Sequence, residues 1–318
     1  LFARLSFAEQ ERVFQPGDTR HIVLATNVAE TSLTVPGIHY VIDSGWARVN
    51  RYSYRNKVEQ LLVEKISRAS ANQRAGRCGR IANGVCIRLY TELDFQGRAE
   101  FTDPEILRSS LAAVILRMAA LRLGKVDEFP FLEAPSSRLI ADGYQLLHEL
   151  GAVSERGEIT ELGQSLSRIP VDPKVGRMLL AGEQFGCLRE MLIIASVLSI
   201  QDPRERPFDA REAATRAHAR FTDEKSDFQS FLLLWDFFDE ALQNKSSNRQ
   251  LIQLCHTHFL SHLRMREWRE LHAQLSQIAD ELKLRRNQDT PATYEPLHKA
   301  LLTGLLGNVG MKSLEGDD

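Results

Sequence analysis

No apolar run in this sequence approaches the roughly 18 residues that a membrane-spanning helix needs. Cysteine is scarce: the four present, Cys78, Cys86, Cys187 and Cys255, include no C-x-x-C pair. That pattern argues against a disulfide framework and for free thiols in a reducing cytoplasm. Cys255, His258 and His262 would share one helix face, but no carboxylate or fourth ligand accompanies them, so packing is expected there and no metal site. Charge of one sign is not in excess either. Forty Lys and Arg against 42 Asp and Glu leave a net charge of −2, so the chain as a whole does not attract polyanions. An initiator Met and a signal-peptide layout are also lacking; Leu1-Phe2-Ala3-Arg4-Leu5 enters a patterned segment at once, as expected of a piece cut from a longer chain.

The 318 residues exceed what one core organises, and two or three domains are expected. Residues 21–25 and 38–42 read as short buried strands of a parallel sheet with a helix between them. Residues 47–52 and 58–63 flank Ser53-Tyr54-Arg55-Asn56 as a hairpin, and 85–90 returns as a buried strand. This is an α/β layer. Beyond Thr91 the pattern turns helical. Leu107, Leu111, Val114, Met118 and Leu121 make one stripe, and Leu139, Tyr144, Leu147 and Leu150 a second that stops at Gly151. Residues 152–160 form a small hairpin with Arg156-Gly157 at its tip, giving the outline of a winged helix. From Asp172 to about Arg286 nearly all is helix: 188–198 is apolar on every side, whereas Phe228, Phe231, Leu232, Trp235, Phe238 and Leu242 form a one-sided stripe. Leu271, Leu275, Ile278 and Leu282 continue a last long helix, and a short apolar helix follows near Leu297.

Charge is distributed unevenly. Between Trp46 and Arg80 nine basic residues face two acidic ones, a local surface able to meet phosphates within a neutral protein. Its densest part, Gln73-Arg74-Ala75-Gly76-Arg77-Cys78-Gly79-Arg80, spaces arginines by three residues, so that one helical turn can aim them at the oxygens of a phosphate. The plainer alternative is a solvated basic helix, but two glycines inside such a helix would each cost about 1 kcal/mol relative to Ala. A second segment, Ala25-Thr26-Asn27-Val28-Ala29-Glu30-Thr31-Ser32-Leu33-Thr34, follows a strand. Its hydroxyls and amide can hold phosphate or sugar, although such residues also serve as ordinary caps.

In this order and about forty residues apart, the two segments resemble motifs V and VI of superfamily 2 helicases in their DEAH-box branch, and most closely its bacterial HrpA type. The resemblance continues through Val41-Ile42-Asp43-Ser44-Gly45, the hairpin, Arg88-Leu89-Tyr90-Thr91, Pro104-Glu105-Ile106-Leu107-Arg108 and Ile169-Pro170-Val171-Asp172-Pro173. It implies an α/β RecA-like domain with a parallel sheet over 1–95, then mostly α domains: a winged helix over 96–168 and a helical ratchet bundle over 169–288, with a linker and the start of an OB-fold over 289–318. It also implies roles. Arg77 and Arg80 would be arginine fingers on the γ-phosphate of ATP, and Gln73 would place the attacking water or the phosphate. Asp43 would reach the ribose and Phe14 the adenine, although an aromatic after a helix is as well explained by packing. Thr26 and Asn27 would hold the nucleic-acid backbone, and Arg51, Arg55 and Lys57 would stand in the hairpin pressed against the bases. The implied partner is single-stranded RNA, or DNA, bound by a monomer that travels along it at the expense of ATP.

The departures are equally specific. There is no G-x-x-x-x-G-K-[ST] phosphate loop, since Gly307-Asn308-Val309-Gly310-Met311-Lys312-Ser313 has the wrong spacing, and no Asp-Glu-Ala-His. The nucleotide cradle and the Mg2+ ligands would belong to another RecA-like domain in cis, and this chain alone would not hydrolyse ATP. Two other classes compete. A winged-helix module without ATPase activity needs a basic recognition helix, but 136–150 offers only Arg138 against Asp142 and Glu149. A protein-docking scaffold would use the one-sided stripe at 228–242.

Overall fold

The structure, a computed structural model, describes residues 10–15, 20–31, 34–55, 57–80, 83–244, 247–287 and 290–310. Ser32, Asn56, Met311, Lys312, Ser313 and the opening Leu1 to Leu5 lie outside the described residues. The chain divides into two compact units: Leu1–Ser110 with Pro130–Leu139, and Leu111–Phe129 with Ile140–Asp318.

The first unit holds a short helix α1 (Val28–Thr31), β1 (Tyr40–Asp43), β2 (Trp46–Ser53), β3 (Val58–Lys65), α2 (Arg68–Ala75), β4 (Val85–Arg88) and α3 (Glu92–Gln96). β1 and β4 pair in parallel, Tyr40 opposite Val85 and Asp43 opposite Arg88. β2 and β3 form the expected antiparallel hairpin, Trp46 opposite Lys65 and Ser53 opposite Val58. Two expectations fail. Residues 21–25 form no strand. Nor are the parallel strands buried: Tyr40, Ile42, Val85 and Ile87 are 49–71% exposed. Parallel strands are buried when helices cover both faces of their sheet. Here Asp43 and Arg88 reach residues of α2, while the alternate side chains of the same strands stand open.

A polar knot closes this unit where side-chain packing does not. Arg98, 8% exposed, donates to Asp94 and to the carbonyls of Gly45 (2.8 Å) and Ile66 (3.3 Å), and its guanidinium lies 3.9 Å over the Tyr90 ring. Gly45 sits at φ +78°, where a Cβ would come within 2.6 Å of the Arg98 guanidinium and 2.7 Å of Tyr90. Only glycine fits between them.

The second unit is helical: α4 (Ala112–Ala120), most of α5 (Ser137–Glu149), α6 (Glu161–Ser167), α7 (Pro173–Gln184), α8 (Leu188–Leu198), α9 (Arg211–His218), α10 (Asp227–Asn244), α11 (Asn248–Thr257), α12 (His262–Glu281) and α13 (Tyr294–Leu302). α4 is shorter than its stripe, because Leu107 lies in a separate 3-10 turn and Ser109-Ser110 intervene; serine side chains compete with helical backbone bonding. The wing is small, one antiparallel bridge between Val153 and Ile159 with Gly157 at φ +77°. Thr160 then caps α6 by accepting from the Gly163 amide at 3.0 Å.

α8 is the centre of this unit, with every residue buried except Arg189 and Leu198. It feeds three apolar clusters at once: Ile193 and Val197 meet Trp268 and Phe238, Met191 and Ile194 meet Leu297 and Leu301, and Leu188 and Leu192 meet Leu275 and Ala279. Its one buried carboxylate, Glu190, accepts from Asn287 Nδ2 at 3.0 Å and from the Ala292 amide at 3.1 Å. Cys255 belongs to the first cluster, where burial pushes its thiol up to about 11, and His258 packs edge-on to Phe237 at 5.0 Å. No helix among the described residues is long and apolar enough to cross a membrane.

Candidate functional site

Helix α2 begins at Ser67, whose hydroxyl accepts the Ser70 amide at 3.1 Å, and it ends at Gly76. The two glycines of the arginine segment therefore do not lie in a helix interior, and their expected cost there does not arise. Gly76 caps the helix and Gly79 lies in the turn beyond it. Arg74 stays on the last helical turn, while Arg77 and Arg80 stand on the turn that follows.

The three arginines have different surroundings. Arg74 is enclosed: it donates to Glu30 Oε2 (3.0 Å), to Asp43 Oδ1 (2.8 Å) and to the Trp46 carbonyl (3.2 Å), tying α1, β1 and β2 to α2. Arg77 is half-buried. Burial and the neighbouring Arg80 hold its pKa below the ordinary value for arginine, against an opposing pull from Glu30. Arg80 is exposed and donates to the neutral hydroxyl of Thr34, at the end of the segment that carries Thr26 and Asn27. Two guanidinium groups side by side along a cleft make an electrostatic environment complementary to a polyphosphate.

That cleft, of about 2240 Å³, is lined by Thr26, Asn27, Asp43, Arg51, Arg77 and Arg80 among others, so the fold brings six of the proposed site residues to one place. Phe14, half-buried in a 3-10 turn, the exposed Gln73 on α2, and Arg55 and Lys57 at the hairpin turn do not line it.

Two of the residues that line the cleft also hold partners within the fold. Asp43 is 1% exposed, and its carboxylate accepts from the Gly45 amide (2.9 Å), the Tyr90 hydroxyl (2.7 Å) and Arg74. Burial alone would raise its pKa, but these three partners hold it below the usual aspartate value, while burial and the same bond push Tyr90 up to about 12. Through Arg74, Asp43 anchors α2 to the sheet at the wall of the cleft. Arg51 forms ion pairs with Glu64 and, at 3.0 Å, with Asp103, and so fastens the hairpin. Arg108 fastens the same edge, donating to the carbonyls of Asn50 (3.3 Å) and Asp103 (3.2 Å).

Comparison with known proteins decides the family. Residues 3–82 match the helicase conserved C-terminal domain, 144–171 the winged-helix segment of the helicase associated domain (HA2), and 172–231 its ratchet-like segment. The chain belongs to the DEAH-box helicases. It is 55% identical over 320 residues to the ATP-dependent RNA helicase HrpA of Escherichia coli (strain K12), covering 99% of this chain and 24% of that protein. A HrpA homolog of Haemophilus influenzae is 52% identical over 322 residues, with the same two shares. The probable ATP-dependent RNA helicase DHX35 of Pongo abelii is 35% identical over 311 residues, 97% of this chain and 42% of that protein. The chain thus spans about a quarter of the length of its bacterial DEAH-box relatives.

Sequence reasoning passed over one pair. Arg138, the single cation of the supposed recognition helix, lies over the Tyr54 ring of the hairpin, 3.8 Å from its centroid, and both residues belong to the first unit. Their separation of 84 positions gave no signal; only the fold puts them together.

Proposed function

We propose that this chain is the part of an ATP-dependent RNA helicase that contributes arginine fingers and strand contacts to movement along single-stranded RNA. The observation that carries the reading is the pairing of Arg77 and Arg80 on the turn after α2, facing the cleft that Thr26 and Asn27 also line. Arg77 and Arg80 offset the charge of the γ-phosphate, and Gln73, one helical turn earlier, orients the attacking water; positioning and charge account for most of phosphoryl-transfer catalysis. ATP brings the transferable phosphoryl group, with Mg2+ neutralising its oxygens. The cradle and metal ligands come from a RecA-like domain in cis, because this sequence has neither a phosphate loop nor Asp-Glu-Ala-His. Thr26 and Asn27 hold the strand by its backbone, and Arg55 and Lys57 stand on the hairpin that meets the bases. Residues 1–95 act as the RecA-like part, 96–168 as the winged helix, 169–288 as the ratchet and 289–318 as the approach to an OB-fold, in a cytoplasmic monomer.

Fluorescence anisotropy of single-stranded RNA at two salt concentrations, with duplex DNA of equal length as competitor, tests the reading. Salt-sensitive binding that prefers the single strand is expected, and ATPase activity in a chain carrying both RecA-like domains should be abolished by Arg77→Ala. Preferential binding of the duplex would overturn it in favour of a winged-helix module.

A further inference from the structure

The Tyr54 and Arg138 pair is not explained by what holds the hairpin in place. β2 and β3 are already fixed along their length by the ladder, by the Arg51 ion pairs and by Arg108. A cation over an exposed ring adds little to such a framework. Tyr54 nevertheless remains 39% exposed at the turn, and beside it stands the exposed Arg55. Arg138 is exposed as well, and no carboxylate among the described residues is paired with it. The geometry therefore offers two unused recognition elements side by side. One is the open surface of an aromatic ring. The other is the N–H edge of a guanidinium, which remains free to donate when the guanidinium face is stacked on a ring.

From this arrangement we infer that Tyr54 and Arg138 form a single-nucleotide subsite for single-stranded RNA, in which Tyr54 stacks on a base and Arg138 donates to the adjacent phosphate. The inference rests on the strand-binding reading above and deepens it by naming where one nucleotide sits. An aromatic ring accepts the π-face of any base, so the subsite is indifferent to sequence. Arg138 serves it twice, holding one side of the ring and supplying the charge that meets the strand. Guanidinium matches phosphate oxygens by a planar pair of donors, which lysine cannot reproduce while also covering the ring. The lone cation at the start of α5 is then an element of single-strand recognition, with no duplex groove required.

The test is anisotropy of a fluorescein-labelled oligoribonucleotide against the full 318-residue chain at a series of salt concentrations, with Tyr54→Ala, Tyr54→Phe, Arg138→Gln, Arg138→Lys and the double variant Tyr54→Ala/Arg138→Gln. Circular dichroism and thermal melting confirm that each variant is folded, and both positions are exposed. Tyr54→Ala should weaken binding about tenfold by removing the stacking surface, while Tyr54→Phe, which keeps the ring, stays within about twofold of the parent. Arg138→Gln should weaken binding about fivefold and lower the slope of log K against log salt by about 0.7, the loss of one phosphate contact on a single strand. Arg138→Lys should retain that slope and lose part of the affinity. The double variant should lose less than the product of the two single losses, because both residues serve one nucleotide. Parent-like binding by Tyr54→Ala and Arg138→Gln, or losses that simply multiply, would overturn the subsite and leave the strand-binding reading standing. No binding of RNA by the parent chain would overturn both.

Discussion

The two units are held together by different physics. In the helical unit the interior is apolar and shared: α8 alone feeds three clusters, and Trp268, fully buried, adds hydrogen bonds from Nε1 to the Ile193 carbonyl (2.9 Å) and to Ser196 Oγ (3.0 Å). In the sheet unit the same job falls to charges. Asp43, Arg74 and Glu30 join three elements through two carboxylates and one guanidinium, Arg98 joins two loops, and apolar side chains such as Ile42 and Ile87 remain in the open. Apolar packing is non-directional and tolerates repacking, whereas a buried ion pair places its partners within tenths of an ångström and fails when either is removed. The unit with the proposed phosphate-facing arginines is the one built by the directional method.

The sharpest way to break this comparison is to damage each unit by its own means. Trp268→Ala should cost about 3–5 kcal/mol in denaturant unfolding by opening a cavity at the meeting of α8, α10 and α12. A loss below about 1 kcal/mol would mean that the helical core does not depend on this contact. Arg74→Ala should cost about 3 kcal/mol, with no cavity of comparable size, because it strands the buried Asp43 carboxylate. The stability contributed by Asp43 should also depend on acid: with its folded pKa below the ordinary 3.8, it is present above about pH 4 and lost as pH falls through the lowered value. Asp43→Asn should remove that part of the acid limb in a urea-midpoint series, and an unchanged limb would show that other carboxylates dominate it.

A gentler probe sits in the helical unit. Burial, with help from Arg269 and Arg286 and against Asp239, lowers the pKa of His272 from 6.5 to about 4, and its ring lies 4.6 Å from that of Trp235. The unfolded chain binds a proton that the folded state refuses, so this unit should be at full stability above pH 6.5 and weaken between 6.5 and about 4. His272→Gln should flatten that interval without altering the acid limb of the sheet unit. The smallest effect is expected at Leu61, 61% exposed on the hairpin: Leu61→Ser should shift stability by less than about 0.5 kcal/mol. A larger loss would show that the open apolar side chains of the sheet unit are covered in solution.

What could be read in advance followed the strength of the local pattern. α8 and the long helices of the second unit came from periodicities that packing reinforced, and the hairpin from two short runs flanking a polar turn. The missing strand at 21–25 and the exposed parallel pair did not, because an apolar run announces a wish for cover and not the cover itself. The candidate site shows the same division. Thr26, Asn27, Arg77 and Arg80 could be named from motif and spacing, and they do line one cleft. Asp43 and Arg51 could be named as well, but their partners Arg74, Glu64 and Asp103 could not, because no spacing along the chain shows which opposite charge a residue meets.

The sequence by itself determined the order of elements, the family and the residue types able to meet phosphate, since periodicity and motif spacing are properties of neighbours along the chain. Only the tertiary structure decided which of those charges remain available, that the glycines end α2 instead of interrupting it, and that Arg138 meets Tyr54 across 84 positions. Those outcomes depend on distance in space. Electrostatic and stacking energies fall off over a few ångströms, and no spacing along the chain encodes that separation.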